Sequence, residues 1–358
     1  MTGEKADTVM DRRTFIQRVL QGKRSDRLPR AVFGAGLWSF KQAGLRIADL
    51  SENPERFAEV LAAFLAELDT DIVFAGSGLN TFPAESIGGK LAFRGEQAPL
   101  LSFPLIQKTE DARYLEQISL ADSPHSLALQ DMISRLRESL PDRYLCATSW
   151  GPFTWAMILC DWNLLQEKIS TDASFVRAVC ELGVRLSSAL LEPLMERGLI
   201  DGVSIPDGAV TLVPTGLYRD VILPYERRLF DRIRRRGVGC FLHQCGNISS
   251  QIELYPETSA DCISVDASVS IGETYRLYSG KLVTAGNVDA VNTIFGGNPA
   301  QICRAVSDCV AQIPDPFHNY ILMPSCDLPP DTPLVNVREF LACADSVMDK
   351  KASQADYA

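Results

Sequence analysis

His243, Cys245 and Cys326 are residue types that bind zinc, and their positions suit a shared site. His243 and Cys245 are two residues apart in an apolar run, so on a strand both side chains point to the same face. Cys326 ends a second apolar run at residues 320–326. One imidazole and two thiolates suit Zn²⁺, and three protein ligands leave one tetrahedral position open for chemistry. The sequence therefore predicts a zinc site with an exchangeable fourth ligand.

These cysteines could instead be buried apolar side chains. The chain has ten cysteines, and free cysteine is often buried as a small hydrophobe, so an isolated His-x-Cys pair is more often core than ligand. The interpretation as metal ligands is favoured because these residues lie at the carboxyl ends of the two apolar runs, which are predicted to be strands. Folds of alternating strands and helices keep their sites at the carboxyl ends of the strands.

Composition narrows the possible partners and compartments. A chain of 358 residues holds either two average domains or one large α/β barrel. The net charge of −10 argues against nucleic acid or an anionic membrane surface as the main partner. No apolar run has the length of a transmembrane helix, and the first residues lack the pattern of a signal peptide. We expect a cytoplasmic monomer or homodimer with reduced cysteines, suited to an anaerobic cell.

Short apolar runs alternate with amphipathic segments along most of the chain. The runs are continuous, which is typical of parallel strands buried on both faces, and the segments between them have the three- and four-residue spacing of helices. Eight strands alternating with helices predict a (β/α)₈ TIM barrel. The predicted strands are residues 31–37, 71–75, 144–148, 202–205, 239–243, 262–265, 282–285 and 320–324, and the predicted helices are residues 12–20, 54–68, 175–191, 225–236, 299–312 and 334–348.

The predicted organisation is a single catalytic barrel with short additions at both ends. Residues 1–30 are expected to form an N-terminal helical extension, residues 31–350 the barrel, and residues 351–358 a C-terminal tail. The connection between residues 81 and 123 is longer than usual for a βα unit. It is expected to carry extra strands or a hairpin beside the barrel mouth, and residues 96–99 have the composition of a turn.

Five short motifs, in their order and spacing, resemble the uroporphyrinogen decarboxylase superfamily. The resemblance spans nearly the whole chain and implies a TIM barrel, in agreement with the strand count. The motifs are DRLP at residues 26–29, LPY at 223–225, HQCGN at 243–247, GKLVTAGNVD at 280–289 and GNP at 297–299.

The chain departs from the decarboxylase branch of that superfamily at the residues that bind its substrate. Decarboxylases carry Met-Arg-Gln-Ala-Gly-Arg after the first strand, and the two arginines bind carboxylates. Here residues 40–45 read FKQAGL, so Lys41 and Leu45 replace both arginines. The aspartate that decarboxylases place after the second strand is missing from AGSG at residues 75–78. A porphyrinogen decarboxylase is therefore a disfavoured alternative.

The other branch contains the zinc-dependent corrinoid methyltransferases, such as the methylcobamide:coenzyme M enzymes, and this chain is similar to them at the ligands. Their pattern is His-x-Cys after the fifth strand and Cys after the eighth, here His243, Cys245 and Cys326. The resemblance implies methyl transfer between a small methyl donor or thiol acceptor and a corrinoid. The corrinoid is expected on a partner protein, because the chain lacks an Asp-x-His-x-x-Gly motif. A non-catalytic barrel with a closed four-ligand zinc site is the remaining alternative.

Glu85 and Asp207 are predicted to act in catalysis beside the metal. Asp207 follows the fourth strand, and Glu85 lies in PAESIG at residues 83–88, which resembles a glutamate-containing stretch of the methyltransferases. Each could instead be a cap or turn residue, since short polar side chains are favoured there. Three residues after later strands, Asp266, Asn287 and Asp289, are weaker candidates, and His125 and His318 are expected on the surface or in loops.

The side chains expected near the mouth favour a neutral substrate. A small anionic thiol such as coenzyme M would need a cation beside the metal, and the candidates are Lys41, Arg46 and Arg219. Aromatic residues are more numerous there, which favours a neutral or aromatic methylated substrate, such as a methoxylated compound, as methyl donor. They are Phe33, Trp38, Phe40, Phe82, Trp150 and Phe153.

Overall fold

Eight parallel strands form one sheet that curves into a TIM barrel, as the sequence predicts. The structure, a computed structural model, describes residues 10–33, 36–95 and 97–355, without the side chains of residues 116 and 348–355. The two edges meet where Arg30 pairs in parallel with Leu322. In sheet order the strands are β1 (Ala31–Val32), β2 (Ile72–Ala75), β5 (Tyr144–Thr148), β6 (Gly202–Pro206), β7 (Gly239–Gln244), β8 (Cys262–Val265), β9 (Val283–Val288) and β10 (Tyr320–Pro324), while β3 (Leu91–Ala92) and β4 (Leu100–Leu101) form a separate antiparallel hairpin.

Helices surround the barrel and connect its strands. Among the described residues the α-helices are α1 (Arg12–Leu20), α2 (Leu37–Gln42), α3 (Pro54–Leu68), α4 (Thr109–Gln117), α5 (Pro124–Ser139), α6 (Pro152–Leu159), α7 (Trp162–Thr171), α8 (Ala173–Glu196), α9 (Thr215–Leu217), α10 (Leu223–Arg234), α11 (Ile271–Tyr278), α12 (Pro299–Ala311) and α13 (Leu334–Ala355). Short 3₁₀ segments occupy Ile47–Asp49, Phe82–Ile87, Gly208–Leu212 and Ile252–Thr258, and π-helical turns occupy Tyr218–Ile222 and Ala290–Phe295.

Buried apolar side chains form two clusters, one inside the barrel and one between its strands and the helices. The strands supply both clusters because successive side chains point to opposite faces. Phe74, Phe241 and Met323 belong to the inner cluster, which α1 joins with Phe15 and Ile16. The N-terminal helix predicted at residues 12–20 is therefore present, and it packs on the same cluster as the inward side chains of the strands.

The predicted first strand is wrong in its extent. It was expected over residues 31–37, but the ladder contains Ala31 and Val32, and α2 already begins at Leu37; residues 34 and 35 lie outside the described part. Gly36 still pairs with Ser77, in the same parallel register as the ladder, and α2 begins at the next residue. The Gly36 backbone lies against Ser77, and a side chain at Gly36 would overlap the Ser77 carbonyl. The lack of a side chain at Gly36 allows this close approach where the chain passes from the sheet into α2.

The other expectations about secondary structure hold with shifted ends. The long connection carries the hairpin β3–β4, as predicted, although residue 96 of its turn lies outside the described residues. The last helix continues to Ala355, so much of the expected tail at residues 351–358 is helical, and residues 356–358 are outside the described part. Within the described residues, no helix is both long and apolar enough to span a bilayer.

One cysteine pair departs from the expectation of reduced thiols. Cys303 of α12 and Cys343 of α13 form a disulfide with a Cα–Cα distance of 5.2 Å, within the usual range for such bonds. Their 40-residue separation in sequence and the lack of a Cys-x-x-Cys pattern hide this pairing from sequence reasoning. The other eight cysteines are free, and six of them are buried.

Candidate metal centre

His243, Cys245 and Cys326 meet at the carboxyl-terminal end of the barrel. His243 is the penultimate residue of β7, Cys245 directly follows β7, and Cys326 lies two residues after β10. The Nε2 atom of His243 is 3.0 Å from the Cys245 sulfur, and the two sulfurs are 3.6 Å apart. The three donor atoms all lie within 4.8 Å of one another. The structure thus brings together the three residues that the sequence singled out.

The donor set fits a tetrahedral zinc ion. Zinc–sulfur bonds of about 2.3 Å place two sulfurs of such a site about 3.8 Å apart, close to the observed 3.6 Å. The hydrogen bond between the Cys326 thiol and the Cys245 sulfur and the burial of Cys326 both raise the pKa of the Cys326 thiol. Two thiolates at this separation therefore need a cation between them. Three donors occupy three corners of a tetrahedron, which leaves the fourth corner for a substrate.

The His243 ring is held by groups that leave Nε2 directed at the sulfurs. Its Nδ1 atom is 3.0 Å from the Ser264 hydroxyl on the neighbouring strand β8, and the Phe33 ring lies 5.1 Å away in an edge contact. A hydrogen bond to the other ring nitrogen fixes the orientation of a metal-binding histidine. Burial lowers the pKa of His243, the hydrogen bond with Cys326 raises it, and the net effect is a rise.

The two cysteines are the more accessible of the three donor residues. Cys245 and Cys326 are partly exposed, whereas His243 is buried. Gly208 lies directly against Cys245. A Cβ atom added at Gly208 would be 3.1 Å from the Cys245 Cβ. Asp327, next to Cys326, accepts a hydrogen bond from Ser77 at the end of β2. Segments after two further strands, β2 and β6, therefore lie beside the donors.

Asp207 is fully buried and caps a helix beside this site. Its carboxylate accepts hydrogen bonds from the backbone N–H groups of Phe153 and Thr154 in the first turn of α6, at 3.2 and 2.6 Å. Its own N–H donates to the His243 carbonyl. Burial raises the pKa of Asp207 to about 6 against the opposing effect of the Thr154 hydrogen bonds. The catalytic role of Asp207 stays a prediction, since these contacts are those of a positioning group.

Sequence reasoning missed the partner of Asp207, which is Glu226 on α10. Glu226 is fully buried beside Asp207, its Oε2 atom accepts a hydrogen bond from the Tyr218 hydroxyl at 2.7 Å, and its Oε1 atom has no donor among the described residues. Burial and the neighbouring Asp207 raise the pKa of Glu226 well above its usual range. The sequence did contain an indication that Glu226 is buried. Its spacing places it on the same helix face as the apolar residues Leu229, Phe230 and Ile233.

Glu85 lies in a separate cluster at the start of α5. Its carboxylate accepts hydrogen bonds from the Ser123 hydroxyl and the His125 backbone, and lies 2.8 Å from the His125 Nδ1 atom. Burial raises the pKa of Glu85, the hydrogen bonds of His125 and Ser123 lower it, and the net effect is a lowering. Among the described residues, no hydrogen bond or ion pair joins Glu85 to the three donors, so its catalytic role also stays a prediction.

His125 is not the surface or loop residue that the sequence suggested. It belongs to α5, and only 14% of its side chain is exposed. The ring lies between those of Phe82 and Phe93, with centroids 5.1 and 5.0 Å away. The weaker candidates have local roles: Asp289 caps the turn Ala290–Phe295, Asp266 accepts from the Ser268 N–H, and Asn287 donates to the carbonyls of Asp266 and Val269.

Most of the aromatic residues expected at the mouth are core residues instead. Trp38, Phe40, Phe82 and Phe153 are at most 1% exposed and belong to the cluster between strands and helices. Of the six, Phe33 contacts a donor residue, and the half-buried Trp150 donates to the Thr81 hydroxyl. The argument for an aromatic substrate therefore loses most of its basis. Two of the three candidate cations are also engaged, because Lys41 pairs with Asp331 and Arg46 with Asp49.

Comparisons with known proteins agree with this architecture. The family model described as "Uroporphyrinogen decarboxylase (URO-D)" matches residues 11–347. A solved structure described as a methyltransferase from Methanosarcina mazei superposes with a TM-score of 0.82 at 18% identity, over 94% of this chain and 99% of the other. At that identity the superposition supports the fold alone.

Relatives in sequence include both kinds of enzyme. The methylcobamide:CoM methyltransferase MtbA of Methanosarcina acetivorans is 24% identical over 337 residues, which cover 92% of this chain and 96% of the relative. The uroporphyrinogen decarboxylase of Nitrosospira multiformis is 22% identical over 301 residues, covering 77% of this chain and 80% of the relative. The methyltransferase alignment is the longer of the two and includes nearly the whole of both chains.

Proposed function

This chain belongs to the uroporphyrinogen decarboxylase family, and we propose that within it the chain is a zinc-dependent methyltransferase. The reaction moves a methyl group between a corrinoid carried by a partner protein and a small thiol. The single observation that carries the proposal is the meeting of His243, Cys245 and Cys326 in a three-donor set with an open side. A relative named for methylcobamide and CoM supports the choice of corrinoid and thiol.

Each donor has a definite task in this proposal. His243, held by Ser264, and the thiolates of Cys245 and Cys326 bind the metal. When bound, zinc lowers the pKa of an incoming thiol and so supplies a nucleophile at neutral pH. Two thiolates and a neutral imidazole balance the charge of the zinc ion. The site therefore attracts an entering anion less strongly than a zinc site with fewer thiolates would. The open side at the barrel end admits the methyl carrier.

The surroundings of the donors keep them in place. Gly208 allows the backbone to approach Cys245, and the buried carboxyl groups of Asp207 and Glu226 fix that segment against α6 and α10. Phe33 packs on the imidazole and limits its rotation. We propose Glu85 and Asp207 as residues that support catalysis, and variants of each test this.

A porphyrinogen decarboxylase is less consistent with the residues present. Lys41 occupies one arginine position of that branch and already pairs with Asp331 at 2.6 Å, while Leu45 occupies the other and has no charge. A substrate with several carboxylates lacks its guanidinium partners here. The hydroxyl of Ser77 stands after β2, where an acid is needed, and its partner Asp327 comes from another loop.

The decisive experiment follows the cobalamin spectrum with zinc-loaded protein. Methylcobalamin is mixed with coenzyme M or other small thiols, and in the reverse direction Co(I) cobalamin is mixed with methylated thiols and methoxylated aromatics. We expect enzyme-dependent demethylation of methylcobalamin with a thiol, abolished in Cys326→Ala and retained in Cys180→Ala, whose cysteine is buried in α8. Turnover with methyl ethers and none with thiols would reverse the assigned substrate class. The absence of turnover in both directions, or decarboxylation of a porphyrinogen, would refute the proposal.

A further inference from the structure

Cys303, Glu339 and Cys343 form a second cluster of reactive groups, on the outer helices α12 and α13. A Glu339 oxygen lies 3.2 Å from the Cys303 sulfur and 3.4 Å from the Cys343 sulfur. Glu339 and Cys343 are four residues apart on α13 and so share one helix face, which meets Cys303 on α12. The Cα–Cα distance of 5.2 Å allows the two sulfurs to bond without movement of either helix.

The two sulfurs differ in their access to solvent. Cys303 is partly exposed, whereas Cys343 is 3% exposed and belongs to the cluster between strands and helices. A small thiol can therefore reach Cys303 first, and Cys343 is the leaving or resolving group. The carboxylate of Glu339 lies beside both sulfurs. Its negative charge repels an incoming thiolate and disfavours the thiolate form of either cysteine.

We propose that Cys303 and Cys343 are a reversible disulfide, a modification site that opens and closes by exchange with small thiols and disulfides. Glu339 slows this exchange. The site is independent of the proposed methyl transfer, since its residues lie on α12 and α13 and the metal donors follow β7 and β10. Closing the bond joins α13 to α12, and opening it leaves α13 attached by noncovalent contacts.

The exchange balances with a small thiol as reductant. A thiolate attacks the Cys303 sulfur, the Cys303–Cys343 bond breaks, and Cys343 leaves as a thiolate. A second thiolate attacks the mixed disulfide at the small-molecule sulfur, which releases Cys303 and forms the small-molecule disulfide. The two protons lost by the small thiols end on Cys303 and Cys343. In the oxidising direction, a small disulfide such as oxidised glutathione accepts the two electrons.

Alkylation and peptide mass spectrometry of the zinc-loaded chain test this site. In buffers rich in oxidised glutathione we expect a linked peptide pair containing Cys303 and Cys343. In buffers rich in reduced glutathione both cysteines should become alkylated, and the change should reverse when the ratio is reversed. Glu339→Gln should speed reduction several-fold. Asp308→Asn, an exposed site on α12 that also loses one negative charge, should leave the rate near that of the wild type.

Three results would overturn the proposal. The first is full alkylation of Cys303 and Cys343 at every glutathione ratio. The second is protection of both thiols by added Zn²⁺ that a chelator reverses, because that would make the cluster a metal site. The third is equal exchange rates in Glu339→Gln and Asp308→Asn, which would remove Glu339 from the proposal. Wild-type protein supplies the first two readouts, so they do not depend on the folding of a variant.

Discussion

Asp207 and Glu226 are neighbouring carboxyl groups that solvent does not reach, and the Glu226 Oε1 atom has no hydrogen-bond partner among the described residues unless one carboxyl group is protonated. Like charges at such a distance cannot both persist away from water, so Glu226 keeps its proton and donates it to Asp207. Asp207 can then serve as an ionised cap for α6. The pair therefore ties α10, α6 and the segment after β6 together next to Cys245.

This pair predicts how stability changes with pH. The folded-state pKa of Glu226 is raised above the ordinary value of 4.5, so the contribution of its proton to stability is present below that value and is lost as pH rises toward the folded pKa. Glu226→Gln keeps a donor for Asp207 but cannot ionise. We expect the free energy of unfolding of the variant, relative to wild type, to increase as pH rises above 4.5. Chemical denaturation at several pH values measures this.

The comparison needs a variant that removes the hydrogen bonds as well. Glu226→Ala leaves Asp207 and Tyr218 without their partner and should destabilise the protein by about 1–3 kcal/mol at every pH. An unchanged pH profile in Glu226→Gln would show that the buried carboxyl groups do not carry the predicted linkage.

Loss of one sulfur should strongly weaken metal binding. Cys326→Ala leaves two of three donors, so we expect zinc affinity to fall by more than about 100-fold, since loss of an outer hydrogen-bond partner alone typically costs about 10- to 100-fold. A chromophoric chelator in competition with the protein measures the affinity. Cys180→Ala is the matched control, because it removes a buried cysteine from α8. Equal affinities in the two variants would exclude Cys326 as a ligand.

Glu85 predicts a stability change on the acid side. Its folded-state pKa is lowered below the ordinary value of 4.5, so its contribution is present above that value and is lost as pH falls through the folded pKa. Acid denaturation of Glu85→Gln should therefore be less steep than that of wild type. The same variant tests the catalytic role: a fall in kcat of about 100-fold in folded protein supports it. An unchanged kcat per folded molecule excludes it.

Gly151 is predicted to be intolerant of any side chain. It is the residue before α6, and an added Cβ would overlap the Asp207 carboxyl group. Gly151→Ala should cost about 1–3 kcal/mol, as overpacking of a filled core does. Gly216→Ala is the matched control, since its Cβ would meet nothing within 4 Å and a helical alanine is favoured by about 0.5–1 kcal/mol. Denaturant midpoints compare the two, and a stable Gly151→Ala would contradict the packing described for Asp207.

The barrel and its donor set were accessible from sequence because both depend on local patterns. Continuous apolar runs mark strands buried on both faces, and the two-residue spacing of His243 and Cys245 fixes a common side. Predicting that Cys326 lies near the other two donors also required the number of strands. Only the count shows that Cys326 follows the strand that closes the barrel. The resemblance to a known family identified the same three residues.

The surroundings of the site were less predictable because they depend on long-range packing. The partner of Asp207 lies 19 positions further along the chain, on α10, and the partner of Cys303 lies 40 positions further, on α13. The aromatic residues near the first strands were placed wrongly for a related reason. A tryptophan or phenylalanine just after a strand can turn toward the helices or toward the mouth, and sequence spacing does not decide which.

The separation of the metal donors along the chain has a consequence for biosynthesis. Cys245 and Cys326 are 81 residues apart, and Cys326 follows β10, the strand that closes the barrel against β1. A nascent chain that has exposed Cys245 can offer a metal only His243 and that one sulfur, which makes early capture weak. In the proposed site, loading would wait until β10 has docked between β9 and β1, so an ion held at full affinity would mark a chain whose barrel has closed.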